Sequence, residues 1–236
     1  MPGYTRRQLK EDKFADTAQG AALWATGHRQ IVIWTVGLVL VAIVATAGVI
    51  AWRGRQMDQA NTELSAAMRT FETPVGPAAA AAGDTGPTFA TIADRAKAAE
   101  KQFGAVADKY SSVSPGRIAR YLRGTALLQA GDKAGAEQEL KTAAGLSDKD
   151  VAGLAKMALA SMYRASNRTP EAIAICKELA DHPTATVPKA QAQLELADIY
   201  ETTDPQQAAL IYQQLQKDDP RGPAGQVAAQ RLSKPK

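Results

Sequence analysis

The chain has 236 residues, with 28 lysines and arginines against 24 aspartates and glutamates, and a formal net charge of +4. This excess is small and scattered, without the dense basic patch that nucleic-acid binding requires, so no nucleic-acid partner is expected. A single cysteine, Cys176, excludes an intramolecular disulfide. About 180 residues follow position 52, which suits one ordinary domain or a short array of repeats.

Residues 31–52 carry no charged side chain. At a rise of about 1.5 Å per residue, a helix of this length covers about 33 Å, enough to cross the core of a bilayer. Because backbone polar groups in hydrocarbon must be bonded within the segment, the run predicts a single transmembrane helix. Trp52, Arg53 and Arg55 supply the aromatic and cationic rim expected where a helix leaves the lipid.

Two other interpretations of the apolar run remain open. Ala45 and Ala47 have the small-residue spacing of a signal-peptide cleavage site, although the apolar run continues past them to Trp52. A buried core helix is less favoured, because such helices are rarely apolar on every face over this length. An uncleaved anchor is therefore the expectation.

Residues 1–30 are predicted to be a cytoplasmic tail, because basic residues near a spanning helix favour the cytoplasmic side. The tail contains Arg6, Arg7, Lys10, Lys13 and Arg29. The remaining chain would then lie in the periplasm, anchored in a bacterial inner membrane by a single pass. Arginines after the helix leave an inverted topology open, with the domain in the cytoplasm as a membrane-recruited scaffold.

Residues 53–116 predict a degenerate first helical hairpin. Apolar residues recur at helical spacing between Met57 and Phe71 and again between Phe89 and Val106. Between these stripes, residues 73–88 are rich in proline, glycine and alanine and predict a flexible loop. No stretch of the domain shows sustained alternation, so no sheet is expected.

Residues 117–222 repeat a helical hairpin three times. Ala136, Ala172 and Ala208 mark equivalent positions 36 residues apart, close to the roughly 34-residue tetratricopeptide period. Small residues let the two antiparallel helices of each hairpin approach closely, and Gly131 and Asn167 suit the turns between them. Residues 223–236 predict a capping helix and tail. The predicted fold is all-α, a transmembrane helix followed by an α-solenoid of tetratricopeptide-like hairpins.

No catalytic residue, cofactor site or metal site is predicted. The chain has two histidines; Glu178 and His182 can share a helix face, but two ligands do not make a zinc site. Cys176 occupies a position that requires a small apolar residue, so it is expected to be buried and inert. Phosphate-binding loops and hydrolase motifs are absent from the sequence. An enzyme, such as a peptidoglycan-modifying or proteolytic accessory, is the alternative from another class.

Two sets of surface residues are candidates for contact with other molecules. Arg117, Arg120 and Arg123 predict a basic edge, solvated or facing anionic headgroups or an acidic partner. Superhelical repeats also offer a concave surface lined by the first helix of each hairpin, which suits segments of another chain. The partner-binding residues predicted on that surface are Tyr121, Thr125, Met157, Ser161, Arg164, Leu194, Asp198 and Glu201.

Residues 123–136 read RGTALLQAGDKAGA, which resembles the RGxALLxxGDxxxA segment of the YfgM-like family of ancillary SecYEG translocon subunits. That family shares a tetratricopeptide-like domain with the cell-division coordinator CpoB. The anchor ending at Trp52-Arg53 and the helical repeats are similar to the same family. The resemblance implies a non-catalytic, accessory or chaperone-like subunit at the periplasmic side of the translocon. Its partners would be translocon subunits and a membrane-anchored periplasmic chaperone. The alternative is a repeat scaffold that coordinates cell division or envelope assembly.

Overall fold

The computed structural model describes residues 28–76 and 88–233. In these ranges the chain forms nine α-helices and no strand beyond an isolated parallel bridge between Val75 and Phe89. The helices are α1 (Arg29–Glu72), α2 (Ile92–Lys109), α3 (Ser114–Ala130), α4 (Lys133–Ala144), α5 (Lys149–Ala165), α6 (Thr169–Asp181), α7 (Lys189–Thr203), α8 (Pro205–Asp218) and α9 (Pro223–Ser233). The all-α prediction is confirmed. The predicted tail, apart from its last residues, and most of the predicted loop 73–88 lie outside the described residues.

The chain divides into two compact units, one ending at Arg55 and the other beginning at Gln56. In the first unit, α1 is long and apolar enough to span a membrane. Its large apolar side chains are exposed, Trp34 to 80%, whereas a core helix of a soluble protein would bury them. The hydroxyl of Thr46 donates to the carbonyl of Ala42 at 2.7 Å, which satisfies a polar group inside the apolar run.

In the second unit, helices pair into hairpins through the turn residues that the sequence indicates. Gly131 has a φ of 89° and Asn167 a φ of 57°, left-handed conformations that glycine and asparagine tolerate best. The Asp132 carboxylate accepts from the N–H of Gly135 at 2.9 Å, and the Asp204 carboxylate accepts from Gln207 at 3.2 Å. These side chains cap the N-termini of α4 and α8. The hairpins α3–α4, α5–α6 and α7–α8 follow in series.

Small residues bring the helices of each hairpin into close contact. A Cβ atom built on Gly124 of α3 would lie 2.7 Å from Cγ of Leu140 on α4, so only glycine fits there. Ala136, Ala172 and Ala208 are buried against the first helices. The prediction that small side chains set this spacing is confirmed.

Successive hairpins are joined through the first helix of the later hairpin, which packs against both helices of the earlier one, α5 against α4 and α3, and α7 against α6 and α5. Helix α3 contacts α5, α5 contacts α7, and α7 contacts α9. The second helices do not touch in the same way, because α4 and α6, and likewise α6 and α8, have no Cα atoms within 8 Å of each other. The first helices therefore form a continuous layer, and grooves separate the second helices.

The second unit begins with a core shared by the end of α1 and by α2. Leu64 and Phe71 of α1 pack with Phe103 of α2, and the rings of Phe71 and Phe103 meet edge to face at 5.7 Å. The guanidinium of Arg95 donates to the carbonyl of Thr73 at 3.0 Å. Tyr110 donates its hydroxyl to Glu63 at 2.8 Å. These contacts hold α2 against the last turns of α1.

The prediction of an open basic edge is wrong. Two carboxylates flank the guanidinium of Arg123, Glu100 of α2 at 2.8 Å and Glu139 of α4 at 2.9 Å. Arg120 pairs with the same Glu139 at 3.2 Å and with Asp108 of α2. Arg117 pairs with Asp148, the residue that caps α5, at 3.1 Å. All three arginines are half-buried and form ion pairs that join α3 to neighbouring segments, because those segments place acidic residues opposite them.

Candidate functional site

The predicted partner-binding residues lie on the three first helices α3, α5 and α7. Tyr121, Met157 and Leu194 occupy equivalent positions, 36 and 37 residues apart. These helices contact one another in sequence, and we refer to the three side chains as the apolar row; each packs against a different core cluster. Each is half-buried, so each keeps surface that a partner can cover.

The apolar row rests on the core. Tyr121 packs against the cluster that includes Leu140 and Leu159, and Met157 against the cluster that includes Leu179 and Val187. Leu194 packs against the cluster of α7, α8 and α9. Burial raises the pKa of Tyr121, which keeps its hydroxyl neutral at physiological pH. These contacts restrict the side chains before a partner arrives, which lowers the entropy cost of binding.

Beside the apolar row lie Thr125, Ser161 and Arg164. Thr125 donates its hydroxyl to the carbonyl of Leu122 within α3, at 2.8 Å. Ser161 and Arg164 both reach Glu195 of α7, at 3.4 Å and 3.0 Å. The structure thus brings two predicted residues of α5 together on a carboxylate that sequence reasoning missed. Arg164 and Glu195 lie 31 residues apart, so no helical spacing connects them.

Asp198 and Glu201 meet two further residues at the end of the array. The hydroxyl of Tyr212 on α8 lies 2.6 Å from Asp198 and 3.0 Å from Glu201. Arg231 of α9 pairs with the same carboxylates, at 3.4 Å and 3.2 Å. Burial, together with the two carboxylates, raises the pKa of Tyr212. The candidate surface therefore continues onto α9, which the sequence identified only as a cap.

The candidate surface has few free charges. The polar side chains on α5 and α7 are already paired between helices, so Tyr121, Met157 and Leu194 are the apolar area that this surface offers. Arg231 faces two carboxylates, so the end near α9 retains a slight negative excess. Such an arrangement can bury apolar side chains of another chain between polar rims, the pattern of a protein interface.

A polar network between α4, α5 and α6 fixes one hairpin against the next. Glu137 accepts from the hydroxyl of Tyr163 at 2.9 Å and from the guanidinium of Arg168 at 2.8 Å. It also pairs with Lys141 at 2.7 Å. Hydrogen bonds from Lys141, Tyr163 and Arg168 lower the pKa of Glu137 to about 2. Arg168 stacks 4.0 Å above the ring of Tyr163, which reinforces the contact.

A second feature, missed by sequence reasoning, is a cleft of about 530 Å³ between α4 and α6. Its floor is small and apolar, with Ala152, Gly153 and Leu179. Lys149 and Lys156 line the cleft from the same face of α5 as Ala152 and Gly153, and Ala144 and Leu146 line it at the end of α4 and just beyond. The end of α6 contributes Glu178 and Asp181, and the residues that follow contribute His182, Pro183 and Thr184.

The described residues contain no group of three or more histidines, cysteines, aspartates or glutamates that could hold a metal ion. The thiol of Cys176 is fully buried, and burial raises its pKa to about 12. A thiol of this kind is neither a nucleophile nor a ligand at neutral pH. His182 ends α6, with its backbone N–H bonded to the carbonyl of Glu178 at 2.9 Å.

Comparison with known proteins places most of the chain in a repeat family. The family described as "tetratricopeptide repeat-like domain" matches residues 24–185, more than half of the chain. The matched range includes α1 and ends in the connection after α6. No curated protein and no solved structure matches the chain significantly.

Proposed function

The chain belongs to the tetratricopeptide repeat-like domain family, and on that premise we propose that it is a membrane-anchored, non-catalytic scaffold that binds protein partners. Domains of this family are typically scaffolds for protein interaction. The observation that carries the proposal is that Tyr121, Met157 and Leu194, at equivalent positions on three contacting first helices, each keep exposed apolar surface. The row supplies apolar area, and the paired charges beside it supply a polar rim.

More specifically, we propose an accessory or chaperone-like role at the periplasmic side of the Sec translocon. The support is the RGTALLQAGDKAGA segment of α3 and α4 together with an apolar helix that precedes the repeats. Translocon subunits and a membrane-anchored chaperone are the proposed partners.

Purification of the full-length, tagged protein in a mild detergent, followed by identification of the co-eluting proteins, tests this role. Recovery of translocon subunits supports the specific proposal. Recovery of division or envelope-assembly proteins in their place contradicts it and favours the coordinating scaffold.

The surface is tested in the same purification with Met157→Lys and Leu194→Lys. Each replaces a half-buried apolar side chain of the row with a cation, and each should reduce recovery of the partner at least about tenfold, the effect of losing one interface anchor. The matched control is Leu210→Lys, on the second helix α8, where the native leucine is 57% exposed. Partner recovery that falls equally in the control, or survives both row variants, contradicts the proposed surface.

Orientation is a separate part of the proposal, with the repeats in the periplasm and the N-terminus in the cytoplasm. External protease added to intact spheroplasts should degrade the domain after α1. Full protection until the membrane is permeabilised would establish the inverted topology.

A further inference from the structure

Helix α9 joins the array in the manner of a first helix. It packs against α7 and α8, both helices of the preceding hairpin, as α5 packs against α3 and α4. A Cβ on Gly225 of α9 would overlap the carbonyl oxygen of the residue six positions earlier, and a Cβ on Gly116 of α3 would do the same. Three residues after these glycines lie the fully buried Ala228 and Ala119. Helix α9 is therefore the first helix of a fourth hairpin.

This register assigns Gln230 to the position of the apolar row on α9. Each residue of the row lies two positions after a fully buried alanine of its own helix, and Gln230 lies two positions after Ala228. The side chain of Gln230 is exposed. The candidate surface thus has a fourth helix, on which an amide replaces the apolar side chain.

Between α7 and α9 the surface carries more negative than positive charge. Asp198 and Glu201 follow Leu194 at i+4 and i+7, so the three side chains share one face of α7. Arg231 reaches the two carboxylates only at 3.4 Å and 3.2 Å, longer than the roughly 2.7–2.9 Å of a strong charge-assisted bond. The hydroxyl of Tyr212 has one proton, so it donates to one of these carboxylates at a time. Two partly exposed carboxylates therefore retain acceptor capacity beside a single cation.

The rest of the candidate surface is close to neutral. On α5, Arg164 is matched by Glu195 at 3.0 Å. On α3, the predicted residues Tyr121 and Thr125 are uncharged. A partner that crosses the first helices consequently meets unbalanced negative charge at the end formed by α7 and α9.

We propose that the partner presents a basic segment to this surface, with apolar side chains on the apolar row and a lysine or arginine at Asp198 and Glu201, beside Gln230. A cation placed there bonds carboxylates that Arg231 only partly neutralises, and such charge complementarity favours basic partners over acidic ones. The inference rests on the proposed scaffold function and adds to it the charge of the partner.

Selection of random dodecapeptides displayed on phage, with the full-length protein in mild detergent as bait, tests the proposal. An extended dodecapeptide measures about 40 Å, enough to cross four helices packed about 8–10 Å apart. The selected peptides should be enriched in lysine and arginine relative to the unselected library. Failure to select peptides, or selected peptides without this enrichment, would overturn the proposal.

A selected peptide, synthesised with a fluorescent label, then locates the charge. Its affinity should fall about fivefold in the double variant Asp198→Asn/Glu201→Gln, and the difference should shrink at high salt. Asparagine and glutamine keep an acceptor for Tyr212, and thermal unfolding checks that the fold is retained. Asp181→Asn, at an exposed carboxylate on α6, is the matched control. An unchanged affinity in the double variant, or an equal fall in the control, would overturn the assignment.

Gln230→Lys provides an independent measurement, because it adds a cation at the position on α9 without removing a carboxylate. Binding of the basic peptide should weaken about fivefold, whereas Gln206→Lys, at an exposed position on α8, should leave it unchanged. Equal effects of the two substitutions would exclude α9 from the surface. Met157→Lys separates the two proposals: peptide binding that this variant abolishes and the carboxylate variant does not alter contradicts the basic partner alone, and binding that Met157→Lys leaves intact contradicts the scaffold surface as well.

Discussion

Arg164 on α5 and Glu195 on α7 form an ion pair of 3.0 Å between two successive first helices. Ser161 shares the same carboxylate at 3.4 Å. The pair lies on the candidate surface and also joins two hairpins, so a substitution at Arg164 affects stability as well as binding. The two effects must be measured separately.

A double-mutant cycle with Arg164→Ala and Glu195→Ala should give a coupling energy of about 0.5–1 kcal/mol, because the pair is partly exposed. The coupling should shrink as salt screens the charges. Urea unfolding of the native protein, the two single variants and the double variant, at low and high ionic strength, measures the coupling energy and its dependence on salt. A coupling near zero at low salt would show that the contact does not stabilise the stack.

Gly124→Ala should lower the free energy of unfolding by about 1–3 kcal/mol, because the new methyl group would overlap Leu140 on the facing helix. Gly145→Ala is the matched control, since its Cβ would meet only ordinary contacts, the nearest at 3.6 Å. Chemical unfolding of the native protein and of both variants measures the change in the free energy of unfolding that each substitution causes. Equal stability would mean that α3 and α4 move apart without cost.

Cys176 should resist thiol reagents in the native protein, because its side chain is fully buried and its pKa is raised to about 12. Labelling with a maleimide at pH 7 should be slow until denaturant is added, and then complete. Rapid labelling without denaturant would reveal an opening of the hairpin α5–α6.

Glu137→Gln should destabilise the protein at neutral pH by about 1 kcal/mol, through weakened hydrogen bonds with Lys141, Tyr163 and Arg168. The pKa of Glu137 falls from 4.5 to about 2 on folding, so its ionised form stabilises the fold above pH 4.5. That contribution declines as the pH falls towards 2. The difference in stability between native and variant protein should therefore narrow over this interval. A difference that stays constant or widens would contradict the role assigned to the carboxylate.

Local patterns in the sequence predicted the helices, because apolar spacing and turn residues act within a few positions of each other. Gly131, Asn167 and the small residues at 124, 136 and 172 fall into this class. The same patterns placed the candidate binding residues on first helices. They did not reveal that Ser161 and Arg164 share Glu195, because that contact joins different hairpins.

Arg117, Arg120 and Arg123 of α3 show most plainly what local sequence patterns do not predict. Their spacing identifies one face of a helix, but whether that face meets water or carboxylates depends on α2 and α4. The cleft was missed for a related reason. It depends on the length of the connection 182–188 and on its attachment to Asp150, and neither leaves a periodic signal.

The separation of the second helices has a mechanical consequence. Because each first helix packs against both helices of the preceding hairpin while α4, α6 and α8 do not touch one another, each junction between hairpins resembles a hinge whose axis lies along the first helix of the later hairpin. A small rotation about that axis widens or narrows the outer groove without breaking a contact between second helices. Tension along the array would be transmitted through both helices of each hairpin, since α4 packs against α5 and α6 packs against α7.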